Sequence, residues 1–439
     1  MKLFRSGYGR WLGVLGGILV LVLSVGWLQL RQEPKQLRIG VFAGSNWGVP
    51  AADSYGIIDM AVQRFEAAHP GVKVTYVSGI PKEDYSEWLA ERVVEGNEPD
   101  VFLVLPQDFN LYVSMGLLQE LNPLLQEDGD YQPENYYRAA LAYGSYDGNL
   151  YALPMESVPT LMFVNKTLLQ RNGIAMPSPE WTWQDFLQIC QQVTRDTNGD
   201  GAVDQFGCYD YTWQQAALSN GLELFRADGR ASYFADERMD EVVQFMIAVQ
   251  GMNHGYQVGA QDFDMGRVAF RPFTFAEYRT YKPYPWRIKR YSGFEWDCIP
   301  MPAGPSGSNA SQLETLMAGM SSRTLQKDLA WEFLKMLCCD REIQQAIFTK
   351  SQGLPVLREV VRTDELNGPL LQDGQDGMQV NGKMLDRVLE EAVAPPKFAK
   401  YNEAMLRADT AMRRILQGNM PFNNALNKLQ KEINAYLQY

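Results

Sequence analysis

Oxygen-bearing side chains recur at alternate positions in one short segment of the chain. Positions 1, 3, 5, 7 and 9 of this segment are Asp196, Asn198, Asp200, Ala202 and Asp204, and position 6 is Gly201. Hard cations such as Ca²⁺ take oxygen ligands at this spacing, with the backbone carbonyl serving at position 7 and the glycine making the sharp turn. The segment therefore predicts a bound calcium ion with a structural role, because no nucleophile stands beside it.

A turn without metal is the alternative, since Asp, Asn and Gly favour turns by hydrogen-bonding their own backbone. Position 12 is Gly207 rather than the bidentate glutamate of an EF-hand, so a further ligand would have to come from elsewhere or from water. We favour calcium, because three carboxylates in so short a segment repel one another when no cation lies among them.

The composition excludes several classes of function. The chain has 439 residues, with 40 Lys and Arg against 52 Asp and Glu, and its net charge of -12 disfavours nucleic acid as a partner. His69 and His254 are the only histidines, which leaves little room for histidine-based metal or triad chemistry. Apolar residues make up 46%, which excludes a largely disordered chain, and the length predicts two lobes or domains.

The N-terminus predicts export. Lys2, Arg5 and Arg10 precede an uncharged, mostly apolar stretch from Trp11 to Leu30, which is just long enough to span a bilayer as a helix. An uncleaved signal anchor and a cleaved signal peptide over residues 1–31 both have this pattern. In either case the bulk of the chain is expected outside the cytoplasm, membrane-anchored or secreted.

The five cysteines are too few for a disulfide scaffold, and their number is odd. Cys190 and Cys208 could form a bridge, which the sequence alone leaves open. Cys338 and Cys339 stand at the end of a helical pattern, where packing explains them better than redox chemistry.

The spacing of apolar residues predicts an α/β fold. Strands are expected at Leu37–Phe42, Val72–Tyr76 and Val101–Leu105, with helices between them from Ile58 to Ala68 and from Asp84 to Glu95. Strands that alternate with helices form mostly parallel sheets, which bind ligands at the carboxyl ends of the strands. Further helices are predicted at Trp183–Val193, with Thr182 as N-cap, at Ala330–Cys338 and at Phe422–Leu437.

A series of short motifs runs along the chain. These are PDVFLV (Pro99–Val104), YDGNLYALP (Tyr146–Pro154), LMFVNKTLLQRNGI (Leu161–Ile174), WTWQDF (Trp181–Phe186), GRVAF (Gly266–Phe270), PMPAGPSG (Pro300–Gly307), AWEFLKML (Ala330–Leu337) and GLPV (Gly353–Val356). In this order they resemble the extracytoplasmic sugar-binding proteins of ABC importers, family 1 solute-binding proteins such as maltose-binding protein. Each motif alone is unspecific, whereas their shared order is specific, and the resemblance covers residues 36–439.

The resemblance implies a type II periplasmic-binding-protein-like fold, with two α/β lobes joined by a hinge that the chain crosses three times. The implied crossings lie near Pro154–Val158, Asn309–Glu314 and Lys350–Gly353. Lobe 1 would comprise residues 36–155 and 313–350, and lobe 2 residues 156–312 and 351–439. Family members from Gram-positive bacteria usually carry a lipobox cysteine. This chain has none near its apolar stretch, which affects attachment but not fold.

By the same resemblance, the loops that follow certain strands face a sugar cleft. A sugar ring offers apolar C–H faces to aromatic rings and a rim of hydroxyls to carboxylates and amides. The ligand-binding residues expected in these loops are Asn46, Trp47, Gln107, Asp108, Glu156, Asp210, Tyr211, Trp213, Phe273, Phe275, Glu277 and Tyr278. Trp181, Trp183 and Trp331 are expected to serve as packing residues.

The resemblance implies a non-enzymatic binding protein that captures a carbohydrate, such as an oligosaccharide, and delivers it to ABC permease subunits by hinge closure. A monomer is expected. Two other functions stay open: a secreted carbohydrate-processing enzyme, which would need a pair of carboxylates at fixed separation, and a membrane-anchored sugar-sensing subunit. The sequence marks no such carboxylate pair.

Overall fold

A computed structural model of the protein describes residues 34–50, 55–129, 131–282, 291, 293–363, 380–418 and 422–438. The predicted N-terminal apolar helix at residues 1–31 lies outside this part. Within the described residues, no helix combines the length and the apolar character that crossing a membrane requires.

The elements alternate between strand and helix through the first part of the chain, as the spacing predicts. The strands are β1 (Lys35–Gly40), β2 (Val72–Tyr76), β3 (Val101–Val104), β4 (Ser145–Tyr146), β5 (Asn149–Leu150), β6 (Ala152–Asn165), β7 (Phe206–Cys208), β8 (Val268–Thr274), β9 (Trp296–Ile299), β10 (Leu313–Met320) and β11 (Leu354–Pro355).

The helices vary from four to 17 residues in length. They are α1 (Gly56–Ala68), α2 (Lys82–Val94), α3 (Pro106–Ser114), α4 (Asn122–Glu127), α5 (Arg138–Tyr143), α6 (Lys166–Arg171), α7 (Trp183–Val193), α8 (Trp213–Ser219), α9 (Glu237–Gly251), α10 (Ala260–Asp264), α11 (Phe275–Tyr281), α12 (Lys327–Cys339), α13 (Arg341–Lys350), α14 (Arg358–Val361), α15 (Gly382–Glu391), α16 (Tyr401–Leu416) and α17 (Phe422–Gln438). A short 3₁₀ turn spans Pro133–Asn135.

One strand, β6, joins the two halves of the main sheet. Strands follow the order β2-β1-β3-β10-β6-β8-β7, and β9 and β11 also pair with β6. Along its first half β6 runs antiparallel to β10, from Ala152 opposite Gly319 to Pro159 opposite Leu313. Along its second half it pairs with β8 and β9. Its side chains are buried along almost its whole length, as expected of a central strand covered on both faces.

The buried apolar side chains form distinct clusters on either side of this junction. One cluster is built on β1, β3, β10, α1 and α12, and Phe65, Phe102 and Leu334 lie at its centre. A second is built on α7, α9, α16 and α17, and it includes Phe186 and Phe245. A third packs on the other face of the second sheet half, around Phe163 and Trp296.

The predicted helices and strands are confirmed apart from end residues, but the prediction of a mostly parallel sheet is wrong, because β6 and β10 run antiparallel to the strands they pair with. Helix α7 has the predicted bounds, and Thr182 caps it by accepting from the backbone N–H of Asp185. Leu426, Leu429, Ile433 and Leu437 are buried along one face of α17, as their spacing predicts. Trp181, Trp183 and Trp331 are buried packing residues. All five cysteines are free, so Cys190 and Cys208 are not bridged.

Candidate functional site

Two of the predicted cleft residues meet where β6 passes the loop that follows β1. The indole Nε1 of Trp47 donates a hydrogen bond to Oε1 of Glu156, with 2.6 Å between the two atoms. Glu156 stands on β6 and is only 4% exposed, whereas Trp47 is half-buried. This contact joins residues 109 positions apart, so the fold brings the loop after β1 against β6.

A third segment reaches the same carboxylate from between α13 and β11. The hydroxyl of Ser351 also donates to Glu156 Oε1, and the backbone N–H of Gly353 donates to this carboxylate. A Cβ at Gly353 would lie 2.1 Å from Glu156 Oε1, so only glycine permits the carboxylate to come so close. The carboxylate of Glu156 therefore holds together three segments that are distant in sequence.

Burial sets the protonation chemistry of this cluster. Burial raises the pKa of Glu156, and the hydrogen bonds from Ser351, Trp47 and Gly353 and the charge of Arg279 oppose that shift. Arg279 on α11 is 1% exposed, donates to the carbonyl of Phe348 at 2.7 Å and lies 4.1 Å above the Phe348 ring. Burial lowers the pKa of Arg279 to about 10, and the charge of Glu156 opposes this shift.

A pocket opens beside the Glu156 carboxylate. Its wall combines apolar side chains with hydroxyl, amide and ammonium groups. The lining residues are Phe42, Gly44, Ser45, Asn46, Ile57, Ile58, Leu103, Met155, Glu156, Leu316, Lys350, Ser351 and Gln352. Trp47 stands next to this lining rather than in it. The amide oxygen of Asn46 is buried without a hydrogen-bond partner among the described residues.

Further polar groups follow the adjacent strand β3. Gln107 and Asp108 lie in the first turn of α3. Strands β1 and β3 are parallel neighbours, so α3 and the Trp47 loop follow them at the same edge of the sheet. Gln107 is exposed. Asp108 accepts from the hydroxyl of Ser86 at 2.5 Å, and burial raises its pKa.

The segment before α16 contacts helices α3 and α5. The side-chain amide of Asn110 on α3 donates to the carbonyl of Phe398 at 3.0 Å. The ammonium of Lys397 lies 4.1 Å from the ring centre of Tyr143 on α5. Burial lowers the pKa of Lys397 to about 8. These contacts join residues that the sequence assigned to different lobes.

The aromatic residues predicted in the second half of the chain are placed in its interior. Phe273, Phe275 and Tyr278 are 0% exposed within the third cluster, and Tyr211 and Trp213 pack in the second. The physical reason is local for two of these rings. Helices α8 and α11 begin at Trp213 and Phe275, each behind a threonine capping box, and these helix starts turn the rings inward. In this conformation none of the five rings forms a cleft surface.

Asp210 and Glu277, by contrast, are brought together around an arginine. The guanidinium of Arg271 lies 3.8 Å from Asp210 and 3.7 Å from Glu277, distances too long for direct hydrogen bonds. Its Nε is buried without a partner among the described residues, and the rings of Tyr209, Phe263 and Phe273 surround it. Asp210 has a positive φ of 63°, which sets it on a tight turn after β7.

Sequence reasoning missed Ser351, Gln352 and Lys397. The sequence predicts a crossing between the lobes at the segment from Lys350 to Gly353. The hydroxyl of Ser351 and the amide of Gln352 within that crossing are the signal that could have marked them as site residues. Lys397 follows two prolines and carries no recognisable pattern. Its position beside Tyr143 depends entirely on tertiary structure.

The sequence model of the bacterial extracellular solute-binding proteins matches residues 50–337, which is more than half of the chain. The chain belongs to this family. The family is extracellular, so this solute-binding protein works outside the cytoplasm, and its two-lobe α/β fold is that of binding proteins rather than enzymes.

Known proteins resemble this solute-binding protein over most of its length. An ABC substrate-binding protein from Listeria monocytogenes in complex with cycloalternan has 20% identity and a TM-score of 0.67 over 92% of this chain and 99% of that chain. A cyclic alpha-maltosyl-1,6-maltose binding protein from Arthrobacter globiformis has 18% identity and a TM-score of 0.74, with the same coverage of 92% and 99%. A protein of Brucella abortus strain 2308, provisionally named a binding protein, is 21% identical over 313 residues, 68% of this chain and 72% of that protein.

The predicted calcium loop of this solute-binding protein is organised by its own backbone. Asp196 accepts from the N–H groups of Asn198, Gly199 and Gly201 at 2.7–3.1 Å, and these bonds, led by Gly201 and Gly199, lower the pKa of Asp196. Asn198 and Asp200 each accept from the backbone two residues on. Among the described residues, no three or more His, Cys, Asp or Glu side chains gather closely enough to hold a metal. Calcium at this loop stays a prediction.

Proposed function

We propose that this protein captures a carbohydrate, an oligosaccharide, outside the cytoplasm and delivers it to the permease subunits of an ABC importer. Family membership supports the binding role, because the family consists of extracellular solute-binding proteins. Of the two proteins of similar fold named above, one is in complex with cycloalternan and the other is described as a cyclic alpha-maltosyl-1,6-maltose binding protein, which supports a carbohydrate ligand here.

The observation that carries the proposal is the convergence of Trp47, Asn46 and Glu156 at one pocket. A half-buried indole offers an apolar face to the C–H side of a sugar ring. Beside it, the free amide oxygen of Asn46 and the side chains of Ser351 and Gln352 offer partners for hydroxyl groups. A sugar needs both kinds of group, an aromatic surface for its C–H face and polar side chains for its hydroxyls.

Closure around the ligand is proposed to occur at the strands that meet on β6. The expected crossings near Pro154–Val158, Asn309–Glu314 and Lys350–Gly353 fall on β6, at the start of β10 and just before β11. β10 and β11 both pair with β6 near Glu156. Small changes in these paired segments would swing the two halves about this line, as in hinge closure of binding proteins.

We further propose that residues 1–31 act as a signal peptide or a membrane anchor, and that the protein works as a monomer. The basic flank and the apolar stretch of residues 1–31 support export. A structural calcium ion is proposed at Asp196, Asn198, Asp200, Ala202 and Asp204, supported by the ligand spacing alone.

A binding screen tests the proposed function. Linear and cyclic gluco-oligosaccharides, other oligosaccharides and monosaccharides are titrated into the exported part of the chain and followed by tryptophan fluorescence. Saturable binding of an oligosaccharide is expected, and chromatography after prolonged incubation is expected to recover it intact. Cleavage would establish the enzyme alternative, and failure of every sugar to bind would contradict carbohydrate capture.

A further inference from the structure

Three donors of the protein itself bond to the carboxylate of Glu156. Trp47 Nε1 and the hydroxyl of Ser351 both donate to Oε1, and the Gly353 N–H donates to the same carboxylate. The side chain is 4% exposed, and the charge of Arg279 acts on it. These three donors leave at most one of the about four acceptor sites of the carboxylate for the hydroxyl of an incoming sugar.

Releasing the carboxylate to a ligand would carry a cost. The indole N–H of Trp47 would lose its acceptor in a partly buried position, and a buried polar group left unpaired is destabilising. The close fit of Gly353 against Glu156 leaves the carboxylate little room to turn away. The geometry therefore favours a fixed carboxylate and a fixed ring.

We propose that Glu156 is a positioning residue, which holds the Trp47 indole at the edge of the pocket and ties it to the segment Ser351–Gly353. The proposal rests on carbohydrate binding, and it differs from the sequence prediction, in which Glu156 contacts the sugar directly. Trp47, Glu156 and Ser351 come from three separate segments, so the orientation of the ring depends on how these segments are packed. Ring stacking on a ligand is thereby linked to the strands that meet on β6.

A double-mutant cycle on sugar affinity tests the proposal. Glu156→Met removes the acceptor at similar volume, Trp47→Phe removes the N–H but keeps a flat ring, and the third protein carries both changes. In the protein with Trp47, Glu156→Met is expected to weaken sugar binding about tenfold. In the Trp47→Phe background the same change is expected to weaken binding less than about threefold, because phenylalanine has no N–H for Glu156 to hold. Glu156→Gln, which still accepts the hydrogen bond, is expected to restore affinity.

The outcomes separate this proposal from the proposed function. Equal costs of Glu156→Met in the two backgrounds would show that Glu156 acts independently of the Trp47 N–H, and would overturn the positioning role while sugar binding stands. A wild-type protein that binds no oligosaccharide would overturn both. If Glu156→Met fails to fold, Trp47→Phe alone decides, because unchanged affinity without the N–H anchor would contradict the proposal.

Discussion

The Trp47–Glu156 cluster and the Asp196–Asp204 loop are built in opposite ways. In the cluster, residues from three segments that are distant in sequence meet, and Trp47, Ser351 and Gly353 all donate to the buried carboxylate of Glu156. The loop is continuous in sequence and largely exposed, and its side chains bond to the backbone of their own turn. A motif read from local spacing thus describes a local turn well, whereas a ligand site depends on contacts that only the fold supplies.

The largest expected effect is on the cluster side of this comparison. Replacing Trp47 with Ala removes an aromatic face, which at ~25 cal/mol per Å² is about 2–3 kcal/mol, or about 30–150-fold in sugar Kd. Trp88 on α2, a half-buried tryptophan of the same apolar cluster that stacks on Tyr85, is the matched control. Calorimetry should show affinity lost in Trp47→Ala and kept in Trp88→Ala. Normal binding by Trp47→Ala would place the ligand elsewhere.

The close packing at Gly353 predicts the next effect. Gly353→Ala would push a methyl group against Glu156, and overpacking of this kind costs about 1–3 kcal/mol of unfolding free energy. Gly251→Ala is the control, because a Cβ there meets nothing within 4 Å. Urea unfolding should show a lower unfolding free energy for Gly353→Ala and no loss for Gly251→Ala. Equal stability of the two variants would mean that the three segments pack less tightly than the structure shows.

The buried ammonium of Lys397 predicts that the stability of the fold depends on pH. Its pKa is lowered from 10.5 to about 8 by burial, so between these values the unfolded state binds more protons and stability rises with pH. Lys397→Met is therefore expected to stabilise the fold by about 1–2 kcal/mol at pH 7, with the gain shrinking by pH 10. Lys428→Met, at an exposed lysine, should change neither value. A gain that is constant with pH would contradict a buried cation.

The smallest effect is expected at the Asp196–Asp204 loop. If calcium binds the folded state only, a chelator should reduce stability by about 1 kcal/mol at a fivefold excess of calcium over Kd, seen as a lower Tm. Asp200→Ala should abolish this response. A Tm that ignores the chelator in the wild type would show a turn without metal.

Much of the fold could be predicted because its signals are periodic. The bounds of α7 and the buried face of α17 follow from spacing alone, and motif order led to the family. The site was only partly predictable. The sequence predicts Phe273 and Tyr278 in a cleft, whereas both lie in the core, because position after a strand does not say which way a ring points.

The polar partners were harder still to predict. Ser351 and Lys397 acquire their roles from residues almost 200 and more than 250 positions away. No local pattern marks a hydroxyl that donates to a buried carboxylate or an ammonium held over a ring. Such contacts follow from the way β6, β10 and β11 meet.

The central claim is that a sugar binds at the pocket beside Trp47 and Glu156. A crystal structure of the protein with the oligosaccharide that binds most tightly in the screen tests it most directly. The account predicts a sugar ring stacked on Trp47, hydroxyls bonded at Asn46, Ser351 or Gln352, and the Trp47 N–H still donating to Glu156. A sugar bound away from this pocket would contradict the account.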